Sequence, residues 1–272
     1  MKHILFIGAG SMAEAMIHGF TKQQVFAPSS ITVTNKQNET RLQYLQTTYG
    51  VTPTYDIATA IAQTELVILA MKPKDVASSL QMIQPYLQPH TPILSVVAGY
   101  AIESITSILN ERPIARIMPN TSAQIAMSTT GVAFNACSDE TFKQSIHTML
   151  RAIGSVVEVA EDQLHAVTAL SGSGPAYFYY VVEAMQAAGL AYGLPQETVE
   201  KLVVETMAGA AEMLKQTNET LDILRQKITS PGGTTAAGIQ ALEQHHVKDA
   251  FTACVHDAEQ KSRHLAKSAV NV

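Results

Sequence analysis

The sequence predicts an α/β protein with a doubly wound parallel sheet in its N-terminal part and an all-helical C-terminal part. The chain opens on an apolar run that breaks at a glycine-rich turn, as a strand followed by a helix does. Short apolar runs and helical patterns alternate up to residue 161, and only helical patterns follow. We therefore predict two domains, residues 1–161 and residues 162–272.

The turn after the first strand reads Gly8-Ala9-Gly10-Ser11-Met12-Ala13. This G-x-G-x-x-A spacing is the dinucleotide fingerprint of Rossmann-type domains, in which the first glycine allows a tight turn and the second lets a pyrophosphate approach the backbone. The N–H groups at the helix start then face the phosphates. A turn that serves only as a turn is the alternative. The expected cofactor-binding residues of this segment are Ile7, Gly8, Ala9, Gly10, Ser11, Met12 and Ala13.

The second strand, residues 31–35, is predicted to end beside the ribose of a bound dinucleotide. An NAD-preferring site usually has Asp or Glu there, whereas this chain has Asn35 and Lys36, with Arg41 one turn into the next helix. Cations suit a 2′-phosphate, which a carboxylate would repel. The residues therefore favour NADPH, with NADH as the weaker alternative. Solvated surface charges are the other interpretation of Lys36 and Arg41.

The remaining strands are identified by their apolar runs and the helices by their periodicity. Further strands are predicted near Val51 and at residues 65–70, 92–97, 114–118, 129–134 and 155–159. Helices of the first domain are predicted at residues 39–47, 57–62, 75–87, 102–109 and 139–153. Helices of the second domain are predicted at residues 163–170, 175–192, 195–215, 221–228, 235–243 and 247–267.

Three successive strands end in small, polar or proline residues. Met71-Lys72-Pro73 follows the first of them, Ala98-Gly99 the second and Pro119-Asn120-Thr121 the third. Open α/β sheets bind ligands beyond the carboxyl ends of their strands, so we expect a cofactor cleft at this edge of the sheet. Lys72 is a candidate for that cleft, and a surface lysine beside a helix start is its common alternative.

The helical domain has the features of a packing domain. Pro175 and Pro195 fit first-turn helix positions, and Ala208-Gly209-Ala210-Ala211 allows another helix to approach closely. Only 15% of all residues are charged, against about 25% in an average chain. Part of the surface is therefore expected to be buried against another subunit, unless a large core accounts for the low charge.

Composition also limits the partners. The net charge of −5, with scattered basic residues, predicts neither a nucleic-acid nor a membrane partner. Cys137 and Cys254 lack metal-ligand spacing, so we expect free thiols, no metal and a cytoplasmic location.

A second glycine-rich segment, Ser230-Pro231-Gly232-Gly233-Thr234-Thr235, lies between two predicted helices. Its backbone N–H groups and hydroxyls could hold a carboxylate without an arginine. A capped interhelical turn is the alternative. The segment Ser171-Gly172-Ser173-Gly174-Pro175 is a similar case, for which a tight joint between helices is favoured.

In order and spacing, these motifs resemble the pyrroline-5-carboxylate reductase family over nearly the full chain. The matching blocks are residues 8–13, 71–73, 98–99, 118–121, 171–177 and 230–235, the last being the most specific. The resemblance implies hydride transfer from NADPH to the C=N carbon of (S)-1-pyrroline-5-carboxylate, which produces L-proline in the last step of proline biosynthesis. It also implies that the helical domain forms dimers, from which larger homo-oligomers are built.

Site residues follow from the same resemblance. The turn residues would border the cofactor together with Asn35, Lys36, Met71, Lys72, Pro73, Ala98 and Asn120. The substrate would be bordered by Glu161, Ser230, Gly232, Gly233, Thr234 and Thr235. Thr235 would be the catalytic residue, acting on the imine nitrogen by a hydrogen bond or proton relay. The N–H groups of Gly233 and Thr234 would hold the carboxylate, and Glu161 would balance the iminium charge.

Two other functions stay open on sequence grounds. A β-hydroxyacid dehydrogenase or imine reductase shares the architecture, but neither Lys201 nor Lys215 lies in a motif for the catalytic lysine of hydroxyacid enzymes. An NADPH-sensing binding protein would differ by its lack of turnover. His245-His246 and residues 268–272 are interpreted as a solvated loop and a frayed end.

Overall fold

The computed structural model describes residues 1–270, without the side chains of the last three. Asn271 and Val272, and with them part of the predicted frayed end, lie outside the described residues. The chain forms two compact units. The first unit contains residues 1–175 together with the chain from Asp257 onward, and the second contains residues 176–256.

A mostly parallel sheet lies at the centre of the first unit. Within the described residues it has eight strands in the order β3-β2-β1-β4-β5-β6-β7-β8. The strands are β1 (Ile4–Ile7), β2 (Ile31–Thr34), β3 (Thr52–Pro53), β4 (Leu66–Leu69), β5 (Ile93–Ser95), β6 (Ile114–Met118), β7 (Ser128–Phe134) and β8 (Gly154–Glu158). Only β6 and β7 pair antiparallel among these strands. The strand order changes direction beside β1, which confirms the Rossmann-type fold.

Helices cover both faces of this sheet. They are α1 (Ser11–Lys22), α2 (Glu39–Tyr49), α3 (Ile57–Ala62), α4 (Val76–Ile83), α5 (Ile102–Leu109), α6 (Glu140–Arg151) and α7 (Leu164–Val167). Ile4 and Phe6 of β1 belong to one core cluster, with residues of α1, α2 and α6. Leu5 and Ile7 belong to the other, with residues of α3, α4 and α5. Both faces of β1 are therefore buried, as in a doubly wound sheet.

Two predicted helices are shorter than expected. The helix predicted at residues 75–87 is α4 flanked by two 3₁₀ turns, Pro73–Asp75 and Gln84–Tyr86. The missing N–H of Pro85 ends the α-helical ladder. The helix predicted at residues 163–170 is α7 followed by a π-helical turn, Thr168–Gly172. The N–H of Ser173 donates to the carbonyl of Thr168 there, a longer hydrogen-bonded step than in an α-helix.

From Leu164 onward the described chain forms helices and turns, as predicted, although the second unit contains only residues 176–256 of the predicted helical domain, 162–272. The remaining helices are α8 (Gly174–Ala191), α9 (Gln196–Gln216), α10 (Leu221–Lys227), α11 (Thr234–Gln244) and α12 (Val247–Val270). Pro195 precedes α9 with an extended backbone instead of lying in its first turn. His245 and His246 are exposed and connect α11 to α12, which confirms the solvated loop.

The second unit buries few of its own side chains. Among its described residues, only Val199 and Val203 are buried apolar side chains. Large apolar side chains are instead exposed along its helices, such as Tyr180, Leu202 and Met213. A helical unit with such a small core needs additional apolar contacts to be stable. Within residues 1–270 no helix combines the length and apolarity needed to cross a membrane.

Candidate active site

The glycine turn after β1 lies where three strands end together. Gly8 has a φ of +108°, and a Cβ atom placed there would lie 2.3 Å from the carbonyl oxygen of Ala70. Its N–H donates to the carbonyl of Thr34 at 2.9 Å. Gly8 therefore allows both the backbone conformation and the close approach of the chain after β4. This confirms the tight turn that the fingerprint predicts.

Gly10 leaves the start of α1 open. It caps the helix in an extended conformation and offers no side chain to the first N–H groups of α1. A Cβ atom on Gly10 would meet only the carbonyl oxygen of Ala70, at 3.9 Å. Ala13 is fully buried and brings the helix onto the sheet. Unoccupied N–H groups at a helix start, without side chains above them, fit the pyrophosphate of a dinucleotide.

A carboxylate that sequence analysis missed supports this turn. Glu14 pairs with Arg41 at 2.5 Å and accepts from the hydroxyl of Tyr49 at 2.9 Å. Arg41 also donates from Nε to the carbonyl oxygen of Ala9 at 2.8 Å. Burial favours the protonated acid, but these hydrogen bonds outweigh it and lower the pKa of Glu14. The positive charge of Arg41 is thus largely compensated by Glu14. The two residues lie 27 positions apart, so no local sequence pattern indicates that they pair.

The loop after β2 is held by its own polar side chains. Asn35 donates from Nδ2 to the carbonyl of Asn38 at 2.7 Å, and its Oδ1 accepts from the N–H of Asn38 at 2.8 Å. Asn38 in turn caps α2 by accepting from the N–H of Arg41 at 2.9 Å. Lys36 is exposed in this ordered loop. Its ammonium is therefore free to turn toward a phosphate beside the end of β2.

Asn120 connects two of the motif segments. Its Nδ2 donates to the carbonyl and to the hydroxyl of Ser171, both at 3.1 Å. Its Oδ1 accepts from the N–H of Ser122 at 3.0 Å. The hydroxyl of Ser171 donates to the carbonyl of Thr129 at 2.6 Å. The chain after β6 is thereby tied to the π-helical turn and to β7.

Glu161 interacts with the sheet domain through one oxygen. Its Oε1 accepts from the N–H of Ile102 at 2.8 Å and from Nη1 of Arg116 at 2.9 Å. The side chain of Arg116 is only 4% exposed, and its Nε has no hydrogen-bond partner among the described residues. Glu161 therefore caps α5 and neutralises a buried arginine. Sequence analysis missed Arg116, although a charged residue inside an apolar strand was a usable signal.

A cavity of about 360 Å³ lies at the carboxyl ends of β4 and β5. It brings together Pro73 and Ala98, two of the residues expected at the cofactor cleft. The lining residues are Pro73, Ala98, Gly99, Thr168, Ser173, Ala258, Lys261, Ser262 and Leu265. Met71 packs against the second core cluster, and Lys72 is exposed next to Pro73. The size of this cavity suits a small organic group.

The segment before α11, in the second unit, forms a tight turn. Gly232 has a φ of +72°, and the N–H of Gly233 donates to the carbonyl of Ser230 at 3.0 Å. The expectation that the N–H of Gly233 holds a carboxylate needs correction, because the turn already uses it. The helix begins at Thr234 without a side-chain cap, and its first backbone bond runs from the N–H of Ala237 to the carbonyl of Gly233, so the N–H groups of Thr234 and Thr235 are among those left for an anion.

The Rossmann-type sheet and the glycine turn between β1 and α1 define a dinucleotide-dependent oxidoreductase with a helical second domain. Residues 3–99 match the family model "NADP oxidoreductase coenzyme F420-dependent". Residues 161–265 match the family model "Pyrroline-5-carboxylate reductase dimerisation". The two models together place NADP chemistry in the sheet domain and homo-oligomer contacts in the helical part.

Relatives are similar in sequence to this chain over nearly its whole length. Pyrroline-5-carboxylate reductase 2 of Bacillus subtilis (strain 168) is 41% identical, over 97% of this chain and 95% of the relative. The enzyme of Staphylococcus haemolyticus (strain JCSC1435) is 38% identical, over 98% and 99%. The chain belongs to the pyrroline-5-carboxylate reductase family.

Solved structures show the same similarity. A pyrroline-5-carboxylate reductase from Coxiella burnetii superposes with a TM-score of 0.90 at 33% identity, covering 97% of this chain and 98% of that one. Plasmodium falciparum pyrroline carboxylate reductase with NADP bound has a TM-score of 0.86 at 27% identity, with the same coverage. The enzyme class and the NADP cofactor expected from the residues are thereby confirmed.

Proposed function

We propose that the protein reduces (S)-1-pyrroline-5-carboxylate to L-proline, the last step of proline biosynthesis. Similarity to pyrroline-5-carboxylate reductases over nearly the whole chain carries this conclusion. The hydride goes to the C=N carbon, and the ring nitrogen carries a proton in the product. A protonated imine is already electrophilic, so the protein mainly aligns two reactants and excludes water.

The cofactor residues are proposed for the first unit. NADPH, when bound, supplies the hydride. The turn residues Ile7 to Ala13 would hold its pyrophosphate, while Asn35 and Lys36 would border the 2′-phosphate. Met71, Lys72, Pro73, Ala98 and Asn120 would border the rest of the cofactor. The open start of α1 and the cavity beside Pro73 and Ala98 support this assignment.

The substrate residues are proposed from residue chemistry and the family resemblance. Thr235 donates a hydrogen bond or relays a proton at the imine nitrogen. The N–H groups of Thr234 and Thr235 hold the carboxylate, and Ser230, Gly232 and Gly233 shape the turn that presents them. Glu161 positions the start of α5 by accepting from the N–H of Ile102, and its carboxylate neutralises Arg116.

Assembly and location complete the proposal. The protein forms dimers through its helical part, residues 162–272, and larger oligomers are built from these dimers. Exposed apolar side chains in the second unit support this assembly. We place the protein in the cytoplasm, where Cys137 and Cys254 stay reduced. Nucleic acid is not proposed as a partner, in keeping with the net charge of −5.

The reaction is tested by following NADPH oxidation with pyrroline-5-carboxylate, with NADH in parallel. Thr235→Ala should lower kcat/KM by roughly 5- to 150-fold, the loss of a hydrogen bond worth about 1–3 kcal/mol. Thr235→Ser keeps the hydroxyl and should retain most activity. Thr252→Ala, in α12 of the same unit, is the matched control. An unchanged kcat/KM in Thr235→Ala would remove Thr235 from the mechanism, and an inactive wild-type protein would contradict the reaction.

A further inference from the structure

One wall of the cavity in the first unit comes from the end of α12. Ala258, Lys261, Ser262 and Leu265 lie on this wall. The helix also packs tightly on the turn after β5. Gly99 has a φ of +71°, and a Cβ atom there would lie 3.3 Å from the backbone nitrogen of Ala266. The wall is therefore held at a defined distance from the carboxyl end of β5.

Ser262 is the polar group of this wall with a buried partner. Its Oγ lies 2.8 Å from Nδ1 of His165, and both residues are only 9% exposed. The contact joins positions 97 residues apart in the chain. By comparison, the hydroxyl of Thr168 donates to the carbonyl of Leu164 within its own helical segment. Ser262 is thus oriented by a residue outside α12 while it lines the cavity.

His165 lies among several charged groups. Arg116 approaches it from β6, Asp162 from the turn before α7, and Glu259 and Arg263 from α12. Arg263 pairs with both oxygens of Asp162, at 2.5 and 2.8 Å. Burial, followed by the charges of Arg116 and Arg263, lowers the pKa of His165. The imidazole is therefore neutral at neutral pH and orients Ser262 without adding a charge to the cavity.

We infer that Ser262 binds the carboxamide of the NADPH nicotinamide, and that His165 positions Ser262 for this contact. The inference rests on the proposed cofactor function. The cavity lies beyond β4 and β5, where open α/β sheets bind their ligands. A carboxamide both donates and accepts hydrogen bonds, so it matches the serine hydroxyl in either tautomer of His165. Apolar side chains of the lining, such as Pro73, Ala98 and Leu265, suit the flat nicotinamide ring that carries the carboxamide.

Binding measurements without substrate test this contact. NADPH is compared with 2′-phospho-ADP-ribose, which lacks the nicotinamide, by calorimetric titration of the full-length protein. Ser262→Ala should weaken NADPH binding about 3- to 10-fold, the loss of one hydrogen bond, and leave 2′-phospho-ADP-ribose unaffected. Ser107→Ala, an exposed serine on α5 that bonds only to its own helix, is the matched control.

Variants of His165 test its positioning role. His165→Leu should weaken NADPH binding as Ser262→Ala does, and the double variant should be no weaker than either. His165→Asn places an amide near the position of Nδ1 and should restore NADPH affinity. Thermal unfolding of each variant confirms that it is folded at the assay temperature.

Three results would overturn the inference. Equal weakening of NADPH and 2′-phospho-ADP-ribose would mean general damage to the fold. Unchanged binding of both would remove Ser262 from the cofactor site. A raised KM for pyrroline-5-carboxylate with unchanged NADPH affinity would assign the cavity to the imino acid. Failure of the proposed reaction is distinguishable, because it would appear as an inactive wild-type protein whose cofactor binding still responds to Ser262→Ala.

Discussion

Glu161 caps one helix and neutralises one buried arginine, and these two partners lie in different parts of the chain. The residue before α5 is Ala101, which has no side-chain oxygen to cap the helix. Arg116, on the neighbouring strand β6, brings a buried positive charge. A single carboxylate satisfies the N–H of Ile102 and neutralises Arg116. A residue expected at the substrate therefore has a structural explanation of its own.

Glu161→Gln separates these two roles. The amide oxygen still accepts from the N–H of Ile102, but the charge of Arg116 loses its partner. We expect the free energy of unfolding to fall by about 1–3 kcal/mol, less than for a fully buried pair because Glu161 is about one-third exposed. Urea denaturation measures it. Glu140→Gln is the control, because the carboxylate of Glu140, which pairs with Lys143, is 80% exposed. Unchanged stability with a lowered kcat/KM would instead place the carboxylate at the substrate.

Lys36 decides cofactor preference on our interpretation, since Arg41 shares its charge with Glu14. Lys36→Ala should weaken NADPH binding about 3- to 10-fold, in proportion to one solvated charge-assisted hydrogen bond. NADH binding should change by less than about 2-fold, because NADH has no 2′-phosphate. Lys22→Ala, at the end of α1, is the control. Parallel titrations with both dinucleotides give the ratio, and equal effects on them would contradict the assignment.

At the scale of an element, the turn between β1 and α1 uses its two glycines differently. Gly8 is required by the fold, because a Cβ atom would overlap the chain after β4. Gly10 has an ordinary φ of −74° and room for a methyl group in the protein itself. Its importance therefore comes from the ligand, whose pyrophosphate must approach the backbone.

Gly8→Ala and Gly10→Ala should consequently have different effects. Gly8→Ala should destabilise the protein by at least about 2 kcal/mol, through overlap and a positive φ. Gly10→Ala should change stability by less than about 1 kcal/mol but weaken NADPH binding more than tenfold. Thermal unfolding and cofactor titration of both variants check this. Similar stabilities of the two variants would show that the turn is less tight than the structure indicates.

At the scale of the whole molecule, the second unit lacks a core of its own. Its described residues include two buried apolar side chains, while many large apolar ones are exposed. The family model matched there is a dimerisation domain. Both observations support the proposal that a second copy of the chain covers these helices. The low charged fraction of the sequence is what such a subunit interface would produce, and a large core remains its alternative explanation.

A charge on α9 should separate the copies. Val204 is half exposed on this helix, and Val204→Glu would bury a carboxylate in the proposed interface at a cost of several kcal/mol. We expect the mass in solution to fall toward the 29.3 kDa of one chain, with loss of activity. Light scattering after size-exclusion chromatography measures it. Met82→Glu, equally exposed in the first unit, should leave the oligomer intact, and an oligomeric Val204→Glu would contradict the interface.

Most strands and helices could be predicted because their signals are local. Buried parallel strands are continuous apolar runs, as at Leu66–Leu69, and amphipathic helices repeat along one face, as at Glu140–Arg151. The exceptions have identifiable causes. Pro85 shortens α4, and the π-helical turn at Thr168–Gly172 is held by Ser171, which contacts Asn120 and Thr129 of β7.

The sequence by itself determined the Rossmann-type fold, the dinucleotide turn, the NADP cofactor and the helical second domain. Each of these follows from motifs and periodicities that are local along the chain, and from their order. Only the tertiary structure decided that β7 runs antiparallel to β6, that Glu161 pairs with Arg116, and that His165 contacts Ser262. These contacts join residues far apart in the chain, and their energies depend on burial and distance. Neither quantity exists until the strands and helices have packed.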